Sequence, residues 1–296
     1  MSGKTAAALG FFDGMHIGHA AVIERALKAA GEYGLTPAAF VISEQPELPK
    51  FGGRHDVGLI PYSAKVAILG HRFGITALWS PDFDSIRDLS PEEFFDSGIL
   101  GILNAGFVCC GEDFHFGKGG VGNAELLKKL CNDAGIHCGI VPPVCTNGVP
   151  VSSTGIRELI RGGDVEAANK LLIRPFGYEL TVLHGRQLGR TIGFPTINQE
   201  IPPFMVKPKR GVYASRTFVG DDIYPSITNI GVKPTVKSDD SENMETHIIG
   251  YSGDLYDRTV RVELIKYIRG ERKFDDLDEL KKQLEADRDV CQNGTF

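Results

Sequence analysis

Short apolar runs alternate with helical patterns through the first half of the chain. Four runs of four to seven residues have the composition of buried strands, at 6–12, 38–43, 75–79 and 107–110. Between them, apolar residues recur at helical spacing, as at Val22, Ile23, Ala26, Leu27 and Ala30, and at Leu126, Leu127 and Leu130. Strands that alternate with helices predict βαβ units, and therefore a parallel sheet covered on both faces.

The pattern changes near Pro175. Runs rich in β-branched and aromatic residues follow at 178–184, 212–219, 223–230, 245–251 and 259–268, separated by glycine, proline and aspartate clusters. Such strands without intervening helices predict an antiparallel barrel or sandwich. A helix with Leu277, Leu280 and Leu284 on one face closes the chain, and Asp275 or Asp276 is placed to cap it. We therefore predict two domains, 1–174 and 175–296.

Composition narrows the class of protein. The 296 residues are 42% apolar and 24% charged, with a formal net charge of −6, which argues against a nucleic-acid partner. We expect no membrane span and no signal peptide, because no apolar run approaches about 20 residues and residues 1–8 lack a charged start. The six cysteines form no CxxC pair, so we expect reduced thiols and a cytoplasmic protein.

The first chemical motif lies at 10–19, where the first predicted strand gives way to the first helix. In an open α/β sheet ligands bind at that end of the strands, and a helix N-terminus favours anions. His16 and His19 are three residues apart, so two imidazoles face one side and can stabilise charge on a departing pyrophosphate. We predict them as catalytic residues. The predicted ATP-binding residues here are Gly10, Phe11, Asp13 and Gly18.

A second motif occupies 151–157 and precedes a helical segment. Hydroxyls at a helix start usually cap it, which explains Ser152 or Ser153 alone. Capping leaves the hydroxyl triplet followed by Arg157 unexplained, and that combination suits the β- and γ-phosphates of ATP. We therefore predict that Ser153, Thr154 and Arg157 bind ATP.

Together these two motifs resemble the nucleotidyltransferase superfamily. The string His16-Ile-Gly-His19 is similar to its HIGH signature, and 151–157 is similar to its second motif. The resemblance implies attack on the α-phosphate of ATP, with the second motif holding the triphosphate.

A third motif at 184–198 carries glycines at 185, 189 and 193 and runs into Phe194-Pro-Thr-Ile-Asn198. If this segment is extended, Thr196 and Asn198 lie on one face and offer the hard oxygen ligands that Mg²⁺ accepts beside ATP phosphates. We predict them as metal ligands. Gly185, Gly189, Arg190 and Gly193 are the predicted ATP-binding residues of this motif. The string resembles the GR-x-x-GFPTAN signature of riboflavin kinases, with Ile197 in place of alanine.

Further strings follow in the order of the riboflavin kinase family, at 211–214, 229–235, 245–248, 254–256 and 267–274. The resemblance implies that Glu245 is the base that takes the proton from the ribityl 5′-hydroxyl. As a whole the chain resembles the bacterial bifunctional riboflavin kinase/FAD synthetases. That family implies a Rossmann-like nucleotidyltransferase domain, then a Greek-key β-barrel with a C-terminal helix. It also implies MgATP-dependent conversion of riboflavin to FMN and of FMN to FAD.

The first half departs from the family pattern in two loops. Residues 42–46 stand where the family has a T-F-x-P-H-P-like string, and His115 and Gly120 stand where arginines are common. A protonated His115 could replace one arginine in part, and Lys118 is a further candidate.

Three other functions fit parts of this pattern. The chain could be a riboflavin kinase whose first domain has lost adenylylation, or a flavin-binding sensor without turnover. An enzyme like an aminoacyl-tRNA synthetase would share the HIGH string, but the acidic charge, the small size and the kinase-like second half argue against it.

Overall fold

The protein is described by a computed structural model over residues 3–43, 49–50, 54–55, 58–185, 189, 192–232 and 242–293, with the backbone alone for 49–50, 54–55 and 292–293. The chain forms two compact units, Met1–Ser153 and Thr154–Phe296. The domain boundary that we predict between 174 and 175 stays a prediction.

The first unit is an α/β domain. Its strands are β1 (Thr5–Leu9), β2 (Thr36–Phe40), β3 (Pro49–Lys50), β4 (Arg54–His55), β5 (Ala77–Trp79), β6 (Ala105–Gly111), β7 (His115–Phe116), β8 (Gly122–Asn123), β9 (His137–Val141), β10 (Cys145–Thr146) and β11 (Val149–Pro150). Its helices are α1 (Ile17–Tyr33), α2 (Tyr62–Phe73), α3 (Phe83–Ile86), α4 (Pro91–Glu93) and α5 (Ala124–Asp133), with a π-helix at Phe94–Ile102 and a 3₁₀ turn at Lys118–Gly120.

The main sheet of this unit is parallel, as predicted. Its strand order is β5-β2-β1-β6-β9 in the described part of the chain. Strand β1 is buried along its whole length and lies at the centre. The chain leaves β1 toward β2 on one side and later returns to β6 on the other. The loop after β1 therefore lies at a topological switch point, where α/β sheets bind ligands.

Some strand bounds differ from those predicted. The apolar runs at 6–12 and 38–43 continue past the ends of β1 and β2, because buried loop residues such as Phe12 and Ile42 prolong them. Strand β9 at the sheet edge is absent from the prediction. It contains His137, Cys138 and Gly139, which interrupt the apolar pattern.

Aromatic side chains build one wall of the first unit. Trp79 packs against Phe40 and Phe94, with ring centroids 4.8 and 4.9 Å apart. The π-helix comes this close because it presents Gly98, where a Cβ atom would lie 1.9 Å from Trp79 Cη2. Phe40 and Phe94 of this wall also line a pocket of the unit.

The second unit is an antiparallel barrel with helices. Its strands are β12 (Gly177–Thr181), β13 (Ile197–Glu200), β14 (Gly211–Val219), β15 (Asp222–Val232), β16 (Glu242–Ile248) and β17 (Thr259–Arg269). Its helices are α6 (Ser153–Gly162), which starts at the last residue of the first unit, α7 (Val165–Leu171) and α8 (Leu277–Asn293).

The strand order confirms the predicted Greek-key barrel. Among the described residues it is β12-β17-β14-β15-β16-β13, and β17 returns to lie beside β14 after three consecutive strands. A bridge between Leu183 and Asn198 joins the two edges, with Leu183 N–H donating to the Asn198 carbonyl at 2.7 Å. The barrel is thereby nearly closed.

The closing helix α8 is capped at its start and packs on the barrel through its second half. Asp276 caps it, as predicted, by accepting from the Glu279 N–H at 2.7 Å. Near its other end the Arg269 guanidinium donates to the buried carboxylate of Asp287 at 2.7 Å. Cys291 packs on the barrel, against a cluster that includes Val212 and Ile227.

Candidate functional sites

The loop after β1 brings the two motif histidines together. His16 is the N-cap of α1, and its Nδ1 accepts from the His19 N–H at 3.2 Å. The two rings are stacked, with centroids 3.6 Å apart and planes 17° apart. Gly18 leaves room for this arrangement, because a Cβ there would lie 3.1 Å from the His16 ring. The spacing predicts this juxtaposition, while the catalytic role of both residues stays a prediction.

Both imidazoles are neutral at pH 7. Burial lowers the pKa of His16 to about 4, although Asp13 and Asp113 raise it in part. Burial also lowers the pKa of His19 well below its usual value, and His16 and Lys65 add to that effect. Lys65 on α2 is a cation that lies outside the sequence motifs.

An enclosed nitrogen marks His19 as available to a ligand. Among the residues that the structure describes, no hydrogen-bond partner faces its buried Nδ1. A buried polar atom without a partner costs about 1–3 kcal/mol, and a ligand or a water would satisfy it.

The backbone between β1 and α1 is strongly bent. Phe12, Gly14 and Met15 all have positive φ, at 49°, 81° and 46°. Phe12 and Met15 are fully buried, so packing holds two non-glycine residues in a sparsely populated conformation. At Gly10 a Cβ would lie 2.9 Å from the Phe12 ring, which explains why glycine occurs there.

Ser153 from the second motif reaches this loop. The β10–β11 hairpin precedes it, and its Oγ donates to the Asp13 carbonyl at 2.9 Å. The Asp13 carboxylate accepts from the Leu59 N–H at 2.8 Å and so fixes a neighbouring segment. Thr154 and the buried Arg157 belong to the second unit, and their binding of ATP stays a prediction.

A pocket of about 380 Å³ opens beside the same loop. It is lined mainly by aromatic and aliphatic side chains and glycines, with four ionisable residues. The lining residues are Phe11, Phe40, Ile42, Phe83, Ile86, Arg87, Asp88, Phe94, Phe114, His115, Phe116, Gly117, Lys118 and Gly119. Phe11 belongs to the loop between β1 and α1, so the pocket adjoins the loop that precedes the two histidines. Sequence reasoning does not find this pocket, because its walls come from five separate segments of the chain.

The charged residues of the pocket form exposed ion pairs. Lys118 Nζ lies 3.2 Å from Asp88 Oδ1, and Arg87 Nη1 lies 3.1 Å from Asp84 Oδ1. Such exposed pairs contribute little stability, so both cations can turn to an anionic ligand at small cost.

Of the two loops that depart from the family pattern, the structure describes 115–120 in full and only the first two residues of 42–46. His115 is exposed and its Nδ1 lies 2.9 Å from the Asp113 carbonyl oxygen. Gly120 has φ of +68°, a conformation that an arginine would adopt only under strain. In the other loop Ser43 Oγ donates to Asp82 Oδ1 at 2.6 Å, whereas residues 44–46 lie outside the described residues.

The barrel brings the predicted kinase residues together by strand register. Asn198 on β13 lies directly opposite Glu245 on β16, and Glu245 lies opposite Asn229 on β15. Paired residues share one face of a sheet, so these side chains form a row. Half-buried Thr196 lies two residues before Asn198, immediately ahead of β13.

Three glycines precede β13, at positions where a side chain would clash with a neighbouring atom or strain the backbone. A Cβ at Gly185 would lie 2.4 Å from Asn198 Nδ2, and one at Gly189 would lie 2.1 Å from the Phe194 carbonyl oxygen. Gly193 has φ of +83°. These positions therefore need glycine for close approach or for backbone geometry. Arg190, the remaining predicted ATP ligand of this loop, lies outside the described residues.

Two further residues hold the kinase row. Asn243 Nδ2 lies 3.1 Å from Glu245 Oε1 and 3.4 Å from Asn198 Oδ1. His247 Nδ1 lies 2.8 Å from the Pro195 carbonyl oxygen. Burial lowers the pKa of His247, so its neutral ring donates to that carbonyl and steadies the segment before Thr196. His247 belongs to the string 245–248, but only the structure reveals this contact.

Comparison with known proteins covers both units. A sequence model of the FAD synthetase family matches residues 1–155, and the flavokinase model, described as riboflavin kinase, matches 172–294. A bifunctional riboflavin kinase/FMN adenylyltransferase from Bacillus subtilis is 35% identical over 290 residues, which cover 96% of this chain and 90% of that protein. The protein of that name from Pseudomonas fluorescens is 33% identical over 282 residues, 95% of this chain and 90% of its own length.

A solved structure has the same fold over the whole chain. It is described as a macrolide-efflux protein from Streptococcus pneumoniae, has a TM-score of 0.88 and 31% identity, and is matched over 100% of this chain and 96% of that one. In the described part of the present chain, no helix is long and apolar enough to cross a membrane. By the family models and the curated relatives, the chain belongs to the family of bifunctional riboflavin kinase/FMN adenylyltransferases.

Proposed function

We propose that the chain converts riboflavin to FMN in its barrel and FMN to FAD in its parallel-sheet unit, with ATP as the second substrate of both steps. The observation that carries the proposal is that each unit assembles its own group of motif residues. These groups are the stacked histidines after β1 and the row of Asn198 and Glu245 in the barrel. Membership of a family whose members are named for both activities supports this proposal.

In the kinase step Glu245 acts as general base. It removes the proton from the ribityl 5′-hydroxyl as that oxygen attacks the γ-phosphorus of ATP and the bond to the ADP oxygen breaks. The carboxylate is exposed, so a substrate can reach it. Gly185, Gly189 and Gly193 let the backbone approach the phosphates closely, and Arg190 adds a cation.

Thr196 and Asn198 would hold Mg²⁺ in this site. Mg²⁺ takes few protein ligands and keeps oxygens from phosphates and water, which fits one hydroxyl and one amide oxygen. Among the described residues no three His, Cys, Asp or Glu side chains gather into a metal-binding group. When bound, the ion neutralises phosphate charge as it develops.

In the adenylyltransferase step an FMN phosphate oxygen attacks the α-phosphorus of ATP and pyrophosphate leaves. His16 and His19 donate hydrogen bonds from neutral rings to the charge that develops. The N-terminus of α1 adds backbone N–H donors. Gly10, Phe11, Asp13 and Gly18 shape the nucleotide site, and Ser153 of the same unit binds the β- and γ-phosphates, while a phosphate-binding role of Thr154 and Arg157 stays a prediction.

The aromatic pocket beside Phe11 is the proposed FMN site. Its volume and its phenylalanine walls suit a flat tricyclic ring, which gains from stacking and from burial of apolar surface. Lys118 and Arg87 at the pocket supply the positive charge that the family places at positions 115 and 120. We propose that these two cations bind the FMN phosphate.

The alternative of a kinase with an inactive first unit is not favoured. Loss of adenylylation does not explain a preserved histidine stack beside an aromatic pocket. The cytoplasmic location, and the absence of nucleic-acid and membrane partners, stay predictions.

One assay tests both activities. Purified protein is incubated with riboflavin and MgATP, and the flavins are separated by chromatography. We expect FMN first and FAD afterwards. FMN without FAD would contradict the adenylyltransferase assignment, and no FMN would contradict the kinase assignment.

A further inference from the structure

Asn243 contacts both Asn198 and Glu245 of the kinase row. It is 7% exposed, on β16 two residues before Glu245. Its Nδ2 lies 3.1 Å from Glu245 Oε1 and 3.4 Å from Asn198 Oδ1. A single buried amide group therefore contacts both the proposed base and a proposed metal ligand.

The chemistry of these groups determines which way the amides point. An ionised carboxylate only accepts hydrogen bonds, so Asn243 must turn its NH₂ group toward Glu245. The second hydrogen of that NH₂ group then needs an acceptor, and Asn198 supplies its Oδ1. The Nδ2 of Asn198 consequently points the other way, toward the space that Gly185 leaves open.

This chain of hydrogen bonds orients the Glu245 carboxylate and the Asn198 Oδ1 for their proposed roles. A carbonyl oxygen has two lone pairs, so Asn198 Oδ1 can accept from Asn243 and still bind a cation. With the opposite amide orientation, Asn198 would present an NH₂ group that repels a cation. Partners that orient a ligand in this way usually matter for metal affinity nearly as much as the ligand itself.

We propose that Asn243 is a positioning residue of the kinase reaction. Its side chain holds the Glu245 carboxylate and turns the side-chain oxygen of Asn198, Oδ1, toward the metal. The proposal rests on the proposed roles of Glu245 and Asn198. It assigns a function to a residue that the motif strings of the sequence do not single out.

Substitution of Asn243 by a side chain of similar shape tests this proposal in the full chain. Asn243→Leu removes the donor, and Asn243→Thr keeps one on a β-branched side chain suited to a strand. We expect kcat for FMN formation to fall about 10- to 100-fold in Asn243→Leu, with KM for riboflavin changed less than about threefold. The kcat of Asn243→Thr should be at least about threefold higher than that of Asn243→Leu.

The matched control is Thr217→Val. Thr217 is fully buried in the same barrel and its Oγ1 lies 2.7 Å from Ser226 Oγ, so this change also removes a buried hydrogen bond without altering shape. We expect it to lower the melting temperature and to leave kcat within about twofold. Equal kcat losses in Asn243→Leu and Asn243→Thr, or a similar loss in Thr217→Val, would overturn the proposal.

A binding measurement separates positioning from stability. Mn²⁺ bound in the presence of ADP is counted by electron paramagnetic resonance, with Thr196→Ala as the reference for a damaged kinase site. We expect Asn243→Leu to weaken one class of bound Mn²⁺ about tenfold or more and Thr217→Val to leave it unchanged. Unchanged Mn²⁺ binding in Asn243→Leu would overturn the metal-facing part of the proposal.

Failure of the inference is distinguishable from failure of the proposed function. If the unsubstituted chain forms no FMN, the kinase assignment itself fails. If it forms FMN and Asn243→Leu does so within about threefold of the same rate, the kinase assignment survives and the role of Asn243 fails.

Discussion

The two sites are built in opposite ways. In the barrel, Asn198 and Glu245 stand on adjacent strands, and β pairing alone sets them face to face. In the parallel-sheet unit, the histidines follow a loop in which Phe12, Gly14 and Met15 all have positive φ. The barrel site depends on strand register. The histidine site depends on buried loop residues that hold an unfavourable backbone.

The two sites also differ in charge. The kinase row offers an exposed carboxylate that receives a hydrogen bond from a buried amide. The histidine site encloses two neutral rings whose pKa values burial has lowered. This difference fits the proposed reactions, in which the barrel removes a proton and the first unit binds a phosphate group.

The largest expected effect is at Glu245. Glu245→Gln removes the base, and we expect FMN formation to fall by about 10²–10⁴-fold while FAD formation from supplied FMN stays within about twofold. Both rates are measured on one preparation by chromatography. A parallel loss of FAD formation would show that the sites are not independent.

The corresponding change in the first unit is His19→Ala. It removes one donor to the developing charge, so we expect FAD formation to fall by about 10²–10³-fold. FMN formation should remain within about twofold. Retention of FAD formation near the unsubstituted rate would contradict the role of the histidine stack.

Acid should weaken the first unit more than the barrel. The pKa of His16 is about 4 when folded and near 6.5 in the unfolded chain, so the unfolded state binds more protons between these values and stability falls as pH decreases through them. From pH 7 to pH 5 the linked loss is about 2 kcal/mol. It is measured by urea unfolding monitored at Trp79, the single tryptophan of the chain, which lies in this unit.

His16→Asn provides the control for this pH effect. Asparagine also serves well as an N-cap but does not titrate, so the variant should lose about 2 kcal/mol less stability over the same pH interval. Identical pH dependence in both proteins would contradict the neutral state of His16.

Gly185 tests how closely the kinase site is packed. Gly185→Ala places a Cβ only 2.4 Å from Asn198 Nδ2, so we expect about a 10-fold fall or more in kcat/KM for the kinase step. The matched change is Gly31→Ala on α1, where a Cβ meets nothing within 4 Å. That variant should keep both activities, and an equal effect of the two would reject the packing argument.

The smallest expected effect is at the pocket. Lys118→Met should raise KM for FMN about threefold to tenfold, because an exposed cation contributes modestly to phosphate binding. In the Glu245→Gln background, where riboflavin is not phosphorylated, inhibition of FAD formation by riboflavin, which lacks the phosphate, should not change. Lys28→Met makes the same charge change on α1, and a similar KM effect there would indicate a general charge effect instead.

Much of the fold and part of each site follow from sequence. Alternation of apolar runs predicts the parallel sheet and the barrel, and the three-residue spacing predicts that His16 and His19 meet. Alternation in 194–198 likewise predicts that Thr196 and Asn198 share a face.

The remainder depends on tertiary packing. Phe83, Phe94 and Phe116 come from separate segments and become one pocket only in the folded unit. The neutral state of the histidines depends on burial, which one-dimensional spacing does not reveal. Asn243 resembles any polar strand residue until the pairing of β13 with β16 places Asn198 beside it.

Complementation between two inactive chains tests the central claim of two independent sites most directly. Glu245→Gln and His19→Ala are each incubated with riboflavin and MgATP, first alone and then mixed in equal amounts. We expect neither variant alone to form FAD, and the mixture to form it, because FMN released by the His19→Ala chain is used by the Glu245→Gln chain. A mixture that forms FMN but no FAD, or a single variant that forms FAD from riboflavin at the unsubstituted rate, would contradict this division of labour.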